Sequence, residues 1–570
     1  MKKITETALL AGIGTLPNLS SLLGKTLEHA NHSQWITGRT HLYLILESVM
    51  KISIHLFSLP HAIITLAAAI ILSAPPAHAD VITDWNQHIA KATKGFDGTT
   101  GSGVTLNSNL STRISAIAAR AVFDAVNSIN HFSNGYYYYQ QSNNGSAQAA
   151  AAQAAHDVIV SQLPAADAWG PTRIWLDAQL AADLAALGVP ASDPGVQAGK
   201  EAAAAAIAAR QLDNASPVTT YGAALSPTTN PGIGLWRQSN AGAGVTNPST
   251  GAPTGFDASG VIQGRPAIDL NWRDVTPFSL SNSEKARLVA LVPISPDVGS
   301  QEYELELDYV QAYGQDTSSV RSADQTAQAL YYKIDAELFV NEAARIASTT
   351  RGLTLNQNAK LFALLHSAVA DARIAAFASK YEQKFWRPIT ALNAGADGTV
   401  TNGYSDWRPL AATPSHPSNT SGHSATGAAA FEILRAFFGD KIKPDGGDVS
   451  LGTLPWLTGT NSGTGNITSR SVKTFSQAQL ENGASRLYLG VHFGFDNLQG
   501  QLLGLAVANA IINSDDPAAA DLKVRESPAS LKRIRHTLLK SPELYGYFGR
   551  ESHDQLGLDT IDFSHRRHHR

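Results

Sequence analysis

The chain contains no cysteine, and its only methionines are Met1 and Met50. Without cysteine there is neither a disulfide framework nor a thiolate metal site. Charge of one sign is also scarce. Charged residues make up 16% of the chain and the formal net charge is -4, so no extended field points to nucleic acid or to a membrane surface as a partner. Strand propensity is low throughout and no fixed-period repeat stands out. What remains is 570 residues of largely helical pattern, enough for two or three average domains or one large all-helical architecture.

Met50-Lys51 is followed by the apolar run from Ala62 to Leu72 and by Ala77-His78-Ala79 before Asp80. A basic start, a short apolar core and an A-x-A site form the pattern of a secretory signal peptide, too short for an ordinary transmembrane helix. The expectation is cleavage after Ala79, a secreted or periplasmic location, and translation from Met50, with 1–49 a mis-assigned extension. The mature chain would then carry no sulfur. Cysteine and methionine are the side chains most readily oxidised by peroxide, so their absence suits a protein that works beside a strong oxidant, although compositional drift accounts for it equally well.

Taken in order, 81–94 reads as a short amphipathic start. From Asn109 to Ile129, apolar residues recur every three or four positions (Ile114, Ile117, Ala121, Val122, Ala125, Val126, Ile129), predicting a helix with one buried stripe. Alanine-rich helices are expected at 147–163, 172–188 and 195–212, packed as a bundle. The Pro-, Gly- and Ser-rich stretch 214–282, which holds Trp236 and Trp272, reads as long surface loops. Helical pattern resumes at 283–291, 301–313, 322–348 and 355–384, the last ended by Pro388. Helices are then expected from Ser424 to Phe438, ahead of Ser485 after a Gly- and Ser-rich insertion at 442–470, and from Asn497 to Asn513. The fold class is therefore all-α, with helical bundles and long connecting loops. An N-terminal helical half at 80–282 precedes a bundle at 283–515 that carries the site, and 516–570 is a polar tail.

Three short segments carry the chemistry. Lys380 and Arg387, seven residues apart, would project from one helix face; alone, such a pair is usually just a solvated surface. Ser421-Gly422-His423 lies at a helix mouth, where unpaired N–H groups and the positive end of the dipole favour an anion. In Ser485-Arg486 to Asp496, a helical reading puts His492 and Asp496 on one face, so that the carboxylate can hold one ring nitrogen and leave the other free as nucleophile or metal ligand. Three fixed cations with hydroxyl and N–H donors suit a tetrahedral oxyanion. One histidine can attack or ligate its central atom, and the other can move protons.

Lys380, six residues, Arg387-Pro388; Ser421-Gly422-His423; Ser485-Arg486, five residues, His492, three residues, Asp496: the set resembles the three-part signature of vanadium-dependent haloperoxidases and the related acid phosphatases of the type 2 phosphatidic-acid-phosphatase superfamily. The motifs cover about 380–496, and weaker similarity to bacterial secreted haloperoxidases extends from Asp80 onward. Thr420 departs from the family, which usually has proline there. The resemblance implies a two-bundle fold and one vanadate per subunit, with Lys380, Arg387, Ser421, the Gly422 backbone and Arg486 holding its oxygens. It further implies His492 as the vanadium ligand or phosphatase nucleophile, oriented by Asp496, and His423 as the acid-base group.

Two chemistries share that cage. In the peroxidase reading vanadate acts as a Lewis acid toward hydrogen peroxide, Lys380 polarises the oxidant, and halide is oxidised to hypohalous acid. In the phosphatase reading His492 attacks a phosphoester and His423 protonates the leaving group. The length of the mature chain, its lack of membrane spans and its lack of sulfur favour the peroxidase. A secreted helical scaffold with a dead site is a third possibility, and it would predict substitutions within the cage, where none of the expected residues is missing. His416, seven residues before His423, stands where bromide-oxidising relatives have histidine, whereas Phe377, three before Lys380, matches neither halide group. The expected partners are therefore hydrogen peroxide, bromide or iodide and small organic substrates, and the alanine-rich faces are compatible with a homodimer.

Overall fold

A computed structural model of the protein describes residues 80–99, 103–141, 144–215, 232–238, 267–394, 407–451, 469–520 and 522. The expected signal segment and nearly all of the polar tail lie outside them.

Short polar caps start most helices, because the first N–H groups of a helix have no partner inside it. Asp80 accepts from Ile82 N at the start of α1 (Val81–Ala92), Asn107 caps α2 (Ser108–Asn130) and Ser146 caps α3 (Ala147–Gln162). Proline opens α4 (Gly170–Ala186) and α5 (Pro194–Ala209), where its missing N–H costs nothing. Ser281, Ser300 and Ser322 cap α6 (Asn282–Ala290), α7 (Gln301–Gly314) and α8 (Ala323–Tyr331), and α9 (Ala336–Arg351) follows. A capping box of Thr354 and Gln357 starts α10 (Leu355–Gln383). The chain continues with α11 (Pro388–Asn393), α12 (Gly422–Phe438), a ribbon of β1 (Val449–Leu451) antiparallel to β2 (Arg470–Val472), α13 (Phe475–Tyr488) and α14 (Gly494–Ile512). The all-α expectation holds, with one two-stranded ribbon in the 442–470 insertion that the low strand propensity did not announce.

The helix α10 joins two groups. It packs on α2, which also contacts α3 and α5, and further along on α12, which contacts α13 and α14. By length and composition α10 could cross a membrane, yet 94% of its most apolar window is buried inside the protein. Small residues set the close spacing. A Cβ on Gly199 of α5 would lie 2.6 Å from the Ala150 carbonyl of α3, and one on Gly504 of α14 would lie 2.2 Å from the Ala425 carbonyl of α12, so only glycine permits these approaches.

Several expectations need correction. The stripe on α2 is too narrow: Arg120, Asp124 and Asn127 are buried beside its apolar residues, because other helices flank it on opposite sides. Asp124 satisfies the Tyr136, Tyr137 and Tyr138 N–H groups at 2.7, 2.8 and 3.0 Å. The 322–348 helix is two, broken at 332–335, where Asp335 meets Lys94 at 2.6 Å and the Ile334 carbonyl accepts from His423. Pro388 does not end α10. Lys384, in the left-handed conformation, does so, and Pro388 instead opens α11. Arg387 therefore sits in the turn between two helices, not on a shared face with Lys380. The described parts of 214–282 are not surface loops throughout. Trp236 and Trp272 are buried, clustering with Val275, Ile374, Phe377 and Tyr381; two large rings gain more by covering α10 than by facing water.

Candidate active site

Four chain segments converge at the C-terminal end of α10. Lys380, in its last turn, is fully buried, and its Nζ donates to the Pro417 and Ser418 carbonyls at 2.9 and 2.8 Å. Burial and the neighbouring Arg387 pull this ammonium well below the ordinary lysine range. Arg387 Nε donates to the His416 carbonyl at 2.9 Å and Nη1 to the Val491 carbonyl at 2.6 Å, so its guanidinium clamps the loop before α12 to the turn before α14. Ser421 caps α12, Gly422 is its first residue and His423 its second. Thr420, the departure from the family pattern, shares a hydrogen bond of 2.7 Å with Ser379, which ties this loop to the residue before Lys380.

His492 does not lie on a helix. It occupies the turn between α13 and α14, and Asp496 is the third residue of α14. The expected contact forms all the same, with His492 Nδ1 2.9 Å from Asp496 Oδ2. That carboxylate also accepts from Phe493 N at 3.2 Å and from the Ser418 hydroxyl. An Nδ1–H donated to Asp496 leaves Nε2 as an acceptor, and Arg387 Nη1 donates to it at 3.1 Å. Burial, then Arg387 and Lys380, hold His492 well below the usual histidine range, so the ring is neutral. Burial raises Asp496 to about 6, against the hydrogen bond from Ser418 and the attraction of Lys380.

A cavity of about 310 Å³ opens onto this cluster, lined by Gly422, His423, Arg486, His492 and His416 among others. Lys380, Arg387, Ser421 and Asp496 are buried in the layer behind that wall. Arg486 is buried too, yet its Nε and Nη1 find no hydrogen-bond partner among the described residues. Burial and then Arg387 push its guanidinium down to about 9, which leaves it charged at neutral pH. A buried cation with two unused donors, beside an imidazole whose unprotonated Nε2 meets only the Arg387 donor, fits a tetrahedral oxyanion such as vanadate or phosphate. His423 Nε2 meets the Ile334 carbonyl at 3.0 Å. That contact places the proton on Nε2 and leaves Nδ1 basic, although burial and Arg486 keep the ring well below its usual pKa. His416 Nδ1 lies 2.9 Å from Arg387 Nη2, and its ring packs on Phe377 with centroids 5.1 Å apart.

All the residues expected at the site are thus brought together. Sequence reading missed Arg373, Lys94 and Asp335, which line the same cavity. Arg373 precedes Lys380 by seven residues on α10, the spacing that had drawn attention to Lys380 and Arg387, and that periodicity was the one available signal.

Residues 360–516 match the family model described as the VCPO second helical-bundle domain. Over 228 residues the chain is 28% identical to the vanadium chloroperoxidase of Curvularia inaequalis, an alignment covering 31% of this chain and 37% of that protein. The chain therefore spans little more than a third of that relative's length. Among solved structures, it resembles one described as the first bacterial vanadium-dependent iodoperoxidase, with a TM-score of 0.58 and 19% identity, covering 75% of this chain and 94% of that one. A holo-type bacterial vanadium-dependent chloroperoxidase gives a TM-score of 0.55 at 17% identity, covering 74% and 96%; at such identities the likeness concerns the fold. Fold and site together define a helical-bundle protein built around an oxyanion cage. The bundle that carries this cage matches the second helical-bundle domain of that family model, and the fold is similar to that of bacterial vanadium-dependent haloperoxidases.

Proposed function

We propose that this protein is an exported vanadate-dependent haloperoxidase that oxidises bromide or iodide, by Br⁻ + H₂O₂ + H⁺ → HOBr + H₂O for bromide. The observation that carries the reading is the buried Arg486 guanidinium with two unused donors, on the same cavity wall as His492 and His423. When bound, vanadate supplies Lewis-acid activation of hydrogen peroxide. Lys380, Arg387, Ser421, the Gly422 N–H and Arg486 would hold its oxygens, and His492 Nε2 would hold the metal, fixed in the right tautomer by Asp496. His423 Nδ1 accepts a proton from hydrogen peroxide and returns it to a leaving oxygen. Lys380, held by two carbonyls, has in its protonated form a third N–H to polarise the oxidant. His416, packed between Arg387 and Phe377, supports bromide and iodide over chloride, because its position in the motif is where bromide-oxidising relatives carry histidine.

The test is to load purified protein with vanadate, add peroxide and bromide, and follow bromination of a dye, measuring phosphoester hydrolysis on the vanadate-free form. Vanadate-dependent bromination is expected; vigorous hydrolysis without it would overturn the reading in favour of a phosphatase. His492→Ala should lose both vanadium retention and turnover, and unchanged bromination would remove His492 from the ligand role. N-terminal sequencing of exported protein should begin at Asp80.

A further inference from the structure

The cavity is larger than a tetrahedral oxyanion needs: its volume of about 310 Å³ falls at the lower end of the range for pockets that take small organic ligands. Part of its lining is built differently from the cage. Arg373 is buried, with only 7% of its surface exposed. Its Nε donates to the Asn109 side-chain oxygen, which fixes the plane of the guanidinium, and its Cζ lies 5.8 Å from the centre of the Phe377 ring. Nη1 has no hydrogen-bond partner among the described residues. Phe377 and His416 separate this guanidinium from Arg387, and Ile334, Leu338 and Leu106 give the same cavity apolar wall.

Two carboxylates share this part of the lining, and both are engaged. Asp335 pairs with Lys94 at 2.6 Å, and Asp269 accepts from Asn107 and Asn109 at 3.1 and 2.8 Å. Recognition there is therefore directional, through the unused Arg373 donor, and not the work of a broad positive field. A buried, pre-oriented N–H of a cation beside apolar wall selects a ligand with one anionic oxygen group and a hydrophobic body. A halide ion would satisfy the charge and leave the apolar wall uncovered.

We propose that Arg373 marks a subsite for a small organic monoanion, an aromatic or aliphatic carboxylate, which binds in the cavity at the same time as the oxyanion in the cage. This names the class of organic acceptor for the function proposed above and rests on that reading for the oxyanion in the cage. The experiment is calorimetric titration of the full chain at saturating phosphate with benzoate and with its neutral isostere benzamide. Benzoate should bind without displacing phosphate, and at least about tenfold more tightly than benzamide. Arg373→Gln should remove that preference, and Arg373→Lys should keep part of it. Equal binding of benzoate and benzamide to the wild-type protein, benzoate competing with phosphate, or bromide displacing benzoate at equal concentration would each overturn the subsite, whatever the folding of the variants. Failure of phosphate to bind would instead count against the cage, and the preference for benzoate could still be read.

Discussion

Arg486 shows most directly what the cage asks of a ligand. A buried arginine normally spends its donors on carbonyls or carboxylates, as Arg387 does on His416 and Val491, since an unmet buried donor costs roughly 1–3 kcal/mol and more when charged. The unused Nε and Nη1 of Arg486 are thus a standing cost to the ligand-free protein, which the oxyanion proposed above would recover. Arg486→Met should therefore leave the ligand-free protein as stable as the parent or more so, while lowering phosphate affinity by at least about tenfold. Urea unfolding and calorimetric titration check the two halves. A large loss of stability with unchanged phosphate affinity would show that Arg486 is structural.

At the scale of elements, the position of His492 depends on how α14 begins. Glu306, on α7, accepts from Gly494 N at 2.5 Å at the first residue of α14, two residues before Asp496. A Cβ on Gly494 would meet the Glu306 carboxyl oxygen at 2.5 Å, so the contact needs glycine. Burial, against the Gly494 hydrogen bond, raises Glu306 to about 8. A carboxyl whose folded pKa exceeds its unfolded value contributes stability that is complete below the unfolded pKa near 4.5 and lost as pH rises through about 8. Asp496 acts in the same direction only up to about 6, so the window from about pH 6.5 to 8 reports on Glu306. Across it the protein should lose on the order of 2 kcal/mol from this group. Glu306→Gln, which keeps the acceptor but cannot titrate, should remove that part of the slope in urea unfolding; an unchanged slope would assign it elsewhere. The sequence did not announce Glu306, because its partner is a backbone N–H 188 residues away and no spacing rule connects them. The three motifs were legible because each packs several site residues into a few positions of one segment. The contact between His492 and Asp496 was legible for the wrong reason: a turn followed by a helix start delivers what a helical face was expected to deliver. Arg373 and Lys94 were hidden because their roles arise only where α10 and α1 meet the break between α8 and α9.

For the whole molecule, the helix order followed from alanine density, caps and apolar periodicity. What those patterns could not show is how completely the joining helix is enclosed, since burial on every side depends on partners distant in sequence. One consequence is a buried histidine far from the cage. His366 on α10 is fully enclosed and meets Asn86 of α1, with Nε2 2.7 Å from the amide nitrogen. His88, one helical turn from Trp85, lies against the rings of Trp85 and Trp175. Burial lowers both histidines to about 4. A base with a depressed folded pKa contributes stability that is present above the unfolded value near 6.5 and lost as pH falls through about 4, because the unfolded chain takes up the proton first. Each site can cost up to about 3 kcal/mol over that interval, and both act on the seating of α1. Acid should therefore loosen α1 from α10 before the rest of the bundle gives way. Hydrogen exchange followed from pH 7 to pH 4.5 should show protection lost first in 81–92. His366→Gln, which offers Asn86 an oxygen acceptor and cannot be protonated, should make the thermal midpoint fall less steeply over the same range, even if it starts lower at pH 7. Parallel midpoint curves for the parent and the variant, or uniform loss of protection across α1, α10 and α14, would show that acid acts on the fold through other groups.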